Sequence, residues 1–130
     1  MAYYMAATLP LSFDEAMRQA EAALQAEGFG VISRIDMQAA FKSKIGIDFR
    51  PYIILGACNP KLAYEALQIE DKVGTMLPCN VVVQQVDPQH TEVAAVDPVA
   101  SMQAIDSADL SQAAGKVRSK LARVIETLKA

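Results

Sequence analysis

The chain has 130 residues, of which 52% are hydrophobic and 21% are charged, and its formal net charge is -3. This length predicts one domain over residues 1–130, and the composition excludes a disordered chain. The negative charge and the absence of tryptophan argue against a nucleic-acid surface, and no apolar run approaches the ~20 residues that cross a bilayer.

The first ten residues do not resemble a secretory signal peptide, because they lack a basic start and a long apolar region. We therefore expect a cytoplasmic protein without a membrane segment. In that reducing compartment, two cysteines are expected as thiols and not as a structural disulfide.

The N-terminal part predicts a strand followed by a helix. Residues 2–8 supply the bulk typical of a strand. Ser12 and Glu15 form an S-x-x-E capping box, so the helix is expected to begin at Phe13. Gly28 is expected to end it.

A second strand and a short helix follow. Residues 30–35 predict the strand, and Asp36 caps a short helix that Gly46 closes. The residues expected to face inward from that helix are Met37, Ala40, Phe41 and Ile45. The loop over residues 47–51 is too apolar to be merely solvated, so it is expected to fold back onto the body or onto a partner.

The next segment predicts a buried strand that passes directly into a capped helix. Residues 52–55 favour the strand, and Gly56 is expected to end it. Asn59 is a good N-cap and Pro60 suits the first helical position. Cys58 would then lie just outside a helix N-terminus, where the helix dipole could lower a thiol pKa.

The second half predicts a helix, a loop and a hairpin. The helix runs from residue 60 to about residue 70, and residues 71–78 form an ordered loop. Residues 79–86 and 91–96 predict two strands, joined by a turn at residues 87–90.

The C-terminal segment has the clearest helical periodicity. Its apolar positions repeat at steps of four and three: Leu110, Ala114, Val117, Leu121, Val124 and Leu128. A coiled coil is one interpretation. A helix lying on a sheet is favoured, because fewer than three heptads fit.

This order of elements predicts an α+β fold. We expect a mostly antiparallel sheet of about five strands covered by helices in two layers, in the order β-α-β4-α with two short inserted helices. A parallel sheet is the alternative. The direct hairpin favours the antiparallel arrangement.

Four segments carry a family resemblance. They are G-F-G-V over residues 28–31, F-x-x-K-x-G-x-x-F over 41–49, Y-x-I-L-G-A-C-N-P-x-L-A over 52–63 and L-P-C-N-V over 77–81. Together they resemble the domain of unknown function 302 family of bacteria and archaea. The resemblance implies a small stand-alone α+β domain that forms a homodimer and has no established activity.

Cys58 and Cys79 are the candidate catalytic residues. Free cysteine is among the most buried residue types, so a packing role is favoured for both. If the third and fourth strands are antiparallel neighbours, however, the two thiols approach each other. Such a pair could bind a soft metal, cycle as a redox pair or accept sulfur, although there is no C-x-x-C spacing and two ligands are weak evidence for a metal.

The other candidate ligand-binding residues are Lys44, Arg50, Asn59 and Asn80. The two basic residues could meet an anionic ligand at the helix start of Asn59, although a solvated face is the commoner role of such residues. His90, the single histidine, falls in the predicted hairpin turn, so we expect a surface role and no hydrolase chemistry.

These observations support three hypotheses. The first is a homodimeric binding or interaction module with a small anionic or thiol-reactive ligand near residues 56–60, without a metal or cofactor. The second is a thiol-dependent enzyme or a sulfur or redox carrier that uses Cys58 and Cys79, and the third is a purely structural partner protein. The dimer is expected because several apolar residues lie outside the predicted helix faces: Tyr3, Tyr4, Ile47, Phe49 and Met76.

Overall fold

The computed structural model describes residues 2–130 and has an α+β architecture. Its elements are β1 (Tyr4–Leu9), α1 (Phe13–Ala26), β2 (Gly30–Asp36), α2 (Met37–Ile45), β3 (Tyr52–Cys58), α3 (Pro60–Ile69), a 3₁₀ helix (Asp71–Met76), β4 (Cys79–Asp87), β5 (His90–Val96), α4 (Pro98–Ser101) and α5 (Ala108–Lys129).

The five strands form one sheet in the order β1-β5-β4-β3-β2, and every neighbouring pair is antiparallel. The predicted fold class is therefore confirmed. Strand β4 lies at the centre of the sheet between β5 and β3, with β1 and β2 at the two edges.

The core lies between one face of the sheet and the two long helices. Alternate residues of the central strands are fully buried on this face, as a strand period of two requires: Val81, Val83, Val93 and Ala95. Helices α1 and α5 pack against this face and against each other, and the residues that they bury include Ala16, Ala20, Leu24, Leu121 and Val124. The C-terminal periodicity thus belongs to a helix that lies on a sheet.

The intervening residues of the strands form the opposite face, which we call the open face. Ile54, Val82 and Ala94 occupy one row across β3, β4 and β5, and they are only half-buried. Helix α2 contacts β3 and buries no residue completely. The open face is therefore partly accessible at its centre.

Three predicted N-caps are confirmed. The Ser12 hydroxyl accepts from the Glu15 amide at 3.3 Å, and the Asp36 carboxylate accepts from the Ala39 amide at 2.9 Å. Asn59 caps α3 in the same way. These local signals set the helix starts because each satisfies an amide that has no partner inside its helix.

Two local predictions are wrong. Strand β3 does not end at Gly56 but continues to Cys58, and Gly56 pairs with Asn80 of β4. Ile45 was expected to face inward from α2, yet it is 62% exposed. The helix lies at the margin of the sheet, so only its Met37, Ala40 and Phe41 side chains are half-buried.

A buried carboxylate joins the end of the sheet to α5. Asp97 is 7% exposed, and its Oδ1 accepts from the Val99 amide at 3.0 Å and the Ala100 amide at 3.4 Å. Its Oδ2 accepts from Arg118 Nε at 2.9 Å. Burial by itself would raise the pKa of Asp97, but the hydrogen bonds from Arg118 and the two amides hold this pKa below its usual value.

The pKa of Asp97 is lower in the folded chain than in the unfolded chain, where it is about 3.9. The ionised carboxylate therefore stabilises the fold at pH values above the unfolded pKa. This stabilisation is lost as the pH falls through the folded pKa. We predict that Asp97→Asn lowers the free energy of unfolding by about 1 to 2 kcal/mol at neutral pH. The difference from the unaltered chain should shrink in urea melts below about pH 4. Asp106→Asn, at an exposed position, is the control and should change little. A loss of equal size at both pH values would contradict this role of Asp97.

Candidate functional site

The joint between β3 and α3 opens into an apolar pocket of about 310 Å³, which we call the joint pocket. Its walls come from β3, α3, α5 and the segment before β4. Representative apolar residues of these walls are Ala57, Leu62, Ala66, Leu77, Ala114 and Val117. Apart from two thiols, the amide of Asn59 is the only polar side chain among residues 2–130 that lines this pocket.

Both cysteines line the joint pocket, because β3 and β4 are antiparallel neighbours. Ala57 lies opposite Cys79 across the two strands, and Cys58 follows Ala57 as the last residue of β3. Cys58 is half-buried and Cys79 is buried, and both are free thiols. The antiparallel pairing of β3 and β4, on which the predicted approach of the two cysteines depends, is present.

The two thiols differ in their surroundings. Burial raises the pKa of Cys79 to about 11, and the negative charge of a Cys58 thiolate nearby adds to this effect. Cys79 is therefore a protonated thiol at neutral pH and a poor nucleophile. Cys58 is the more accessible of the two.

The side chain of Asn59 is held between a helix and a glycine. Its Oδ1 accepts from the Leu62 amide at 3.3 Å, as an N-cap does. Its Nδ2 lies 3.1 Å from the position that a Cβ on Gly28 would occupy, and Gly28 has a φ of 87°. A side chain at residue 28 would therefore be strained and would press on Asn59, so the glycine that ends α1 and the cap of α3 fit together.

The remaining candidates lie away from the joint pocket. Lys44 is exposed on α2. Arg50 stacks over the Phe49 ring at 4.3 Å and donates from Nε to Gln84 Oε1 at 2.9 Å. Asn80 is on the open face. The structure thus brings Cys58, Asn59 and Cys79 together and separates them from Lys44, Arg50 and Asn80.

The apolar loop between α2 and β3 folds back onto the body, as expected. The ring of Phe49 lies 5.0 Å from Phe41 and 6.0 Å from Tyr52, measured between ring centroids. His90 lies at the hairpin end, where its Nδ1 is 2.8 Å from an Asp87 oxygen, and it lines neither of the pockets described here.

Sequence reasoning missed a second concavity of about 370 Å³ on the open face. We call it the open-face pocket. Gln84 and Glu92 lie opposite each other on β4 and β5, and Gln84 Nε2 donates to Glu92 Oε1 at 3.0 Å. The alternation of Val81 and Val83 with Val82 and Gln84 already indicates that Gln84 points away from the core.

Residues 2–130 contain no group of three metal-ligating side chains placed to hold a metal ion. In the same part of the chain, no helix combines the length and apolar character needed to cross a membrane.

The fold and the joint pocket define a small α+β domain with one face of its antiparallel sheet covered by helices. A family model described as "Domain of unknown function DUF302" matches residues 5–128, so the chain belongs to this family. The crystal structure of an uncharacterized conserved DUF302 protein from Bacillus stearothermophilus is similar, with 27% identity, 97% of this chain and 98% of that chain covered, and a TM-score of 0.89. No curated protein matches this chain.

The difference between the two cysteines can be measured by alkylation. The Cys79 pKa of about 11 leaves about one thiolate in a thousand at pH 8. We predict that iodoacetamide modifies a Cys79→Ser protein at Cys58 at least about tenfold faster than it modifies a Cys58→Ser protein at Cys79. In denaturing urea the two rates should converge. Equal alkylation rates in the folded proteins would contradict the burial and the raised pKa of Cys79.

Proposed function

We propose that this protein is a binding domain that takes a small apolar or thiol-reactive ligand in the joint pocket. The observation that carries the proposal is a cavity of about 310 Å³ with apolar walls, a half-buried thiol and a single amide. Small-molecule sites are typically concave and mostly apolar, with a few polar groups that fix orientation.

The composition of the walls favours an uncharged ligand over an anion. None of the lysines and arginines in residues 2–130 lines the joint pocket. The Leu62 amide at the start of α3 is already bonded by Asn59. An anion would therefore lose its hydration shell without gaining a cationic partner, which is unfavourable in an apolar cavity.

Cys58 would give this pocket its selectivity. A half-buried thiol can add to a soft electrophile or contact a soft group of a bound ligand. A thiol-dependent enzyme with Cys79 as the second reacting sulfur is the less favoured alternative, because a pKa of about 11 keeps that sulfur protonated.

Indole is a suitable neutral, apolar probe for the joint pocket. We predict that titration with indole, followed by heteronuclear NMR, shifts the backbone amides of Ala57, Leu62 and Ala114, all of which belong to pocket-lining residues. Ala63→Phe places a ring into the same pocket and should weaken binding at least about tenfold. Ala22→Phe makes the same change at an exposed position of α1 and should leave binding intact.

Absence of saturable shifts at these amides would contradict the proposal, and so would equal indole binding by the Ala63→Phe protein. A purely structural role for the domain would then be the better account. A Cys58→Ser protein that still binds indole but no longer forms an adduct with N-phenylmaleimide would separate the role of the cavity from that of the thiol.

We also propose that the domain associates with a second copy of itself. Of the residues on which this expectation was based, Tyr3, Tyr4 and Ile47 are exposed, whereas Phe49 and Met76 are half-buried. Exposed isoleucines are concentrated in residues 32–47: Ile32, Ile35, Ile45 and Ile47. Exposed apolar side chains gathered in one segment of the chain favour an association surface there.

Light scattering at micromolar concentration should report a mass near twice 14.0 kDa. Ile35→Glu combined with Ile47→Glu should reduce the mass to that of one chain, because a charge buried in an apolar contact without a partner is unfavourable. Tyr64→Glu is the matched control, since Tyr64 is 68% exposed on α3, which follows the other end of β3. A mass of 14.0 kDa for the unaltered chain would contradict the dimer.

A further inference from the structure

We propose that the open-face pocket is a second ligand site, separate from the joint pocket, and that it binds a small organic cation: an amine with an apolar or aromatic body. Its floor is small and apolar, formed by Val82 and Ala94. Glu92 and Gln84 lie along one side of this floor, and three tyrosines contribute to its walls: Tyr3, Tyr4 and Tyr52.

Within the part of the chain that the structure describes, Glu92 is the only charged side chain that lines this pocket. Its Oε1 accepts from Gln84 Nε2 at 3.0 Å, while no donor from residues 2–130 reaches its Oε2. No lysine, arginine or histidine nitrogen of those residues lies within ion-pairing distance of Glu92 either. A half-buried carboxylate with a free oxygen is an acceptor for a cation.

The carboxylate is held in place by a relay of hydrogen bonds. Arg50 Nε donates to Gln84 Oε1 at 2.9 Å, which turns the amide NH₂ of Gln84 toward Glu92. Arg50 is itself held over the rings of Phe49 and Tyr52, at 4.3 Å and 5.7 Å from their centroids. The arginine therefore positions Glu92 through Gln84, and the two residues form no direct ion pair.

The aromatic walls suit the same class of ligand. Tyr3 and Tyr4 pack edge to face with centroids 5.1 Å apart, and both are exposed. Tyrosine faces attract an ammonium group through their ring quadrupoles, and they also cover an apolar ligand body. A carboxylate beside tyrosines over a small apolar floor thus matches an aromatic amine better than an alcohol or an acid.

Phenethylamine and its uncharged analogue 2-phenylethanol provide the test, again by heteronuclear NMR at neutral pH. We expect the amine to shift the amides of Gln84, Glu92 and Ala94 and to bind at least about tenfold more tightly than the alcohol. This comparison uses the unaltered chain and needs no variant. Equal affinities, or shifts confined to other residues, would overturn the proposal.

Variants then assign the preference to Glu92. Glu92→Gln should reduce the affinity for the amine to that for the alcohol, whereas Glu126→Gln, at an exposed position of α5, should not. Ala63→Phe alters the joint pocket and should leave amine binding unchanged. A failure of the joint-pocket proposal can therefore be distinguished from a failure of the proposal made for the open-face pocket. Glu92→Gln could instead change the mass measured by light scattering and leave the preference for the amine intact. The open face would then be an interface between two copies of the chain, and the proposal would be wrong.

Discussion

The pairing of β4 with β3 is the constraint on which both pockets depend. Ala57 lies opposite Cys79 and Gly56 lies opposite Asn80. Because side chains alternate between faces, this register directs Cys79 toward the helices and Asn80 toward the open face. A slip of one residue would exchange the two sets, which would place the core valines of β4 in solvent and its polar residues under α1 and α5.

Gly56 makes this register sterically feasible. A Cβ at residue 56 would lie 2.1 Å from Ser33 Oγ and 2.8 Å from Pro78 Cγ. Between Val31 and Ser33 the β2 ladder shifts by one residue, so Ile32 has no partner on β3 and instead lines the joint pocket. Sequence reasoning treated Gly56 as the end of a strand because glycine weakens strands. Here it marks a close approach of neighbouring chain segments.

Local structure that depends on residues close together in the sequence could be predicted. Contacts and strand registers that depend on residues far apart in the sequence could not. The caps at Ser12, Asp36 and Asn59 are each satisfied within three residues, so the sequence contained the whole signal. The contact of Arg50 with Gln84 joins residues 34 positions apart. A further register shift between Gln85 and Asp87 places Gln84, and not Gln85, opposite Glu92. No local pattern indicates that shift, so the pairing of Gln84 with Glu92 on the open face could not be predicted.

The hydrogen-bonded pair of Gln84 and Glu92 makes an apolar cover on the open face unfavourable. Ile54, Val82 and Ala94 form an apolar strip that a helix or another sheet could cover. Glu92 lies beside that strip, and an apolar cover would desolvate its free carboxylate oxygen without supplying a partner. Such a cover is unfavourable unless it brings a positive charge. In the proposed open-face site, the carboxylate that disfavours an apolar layer is therefore the same group that favours a cation as the occupant.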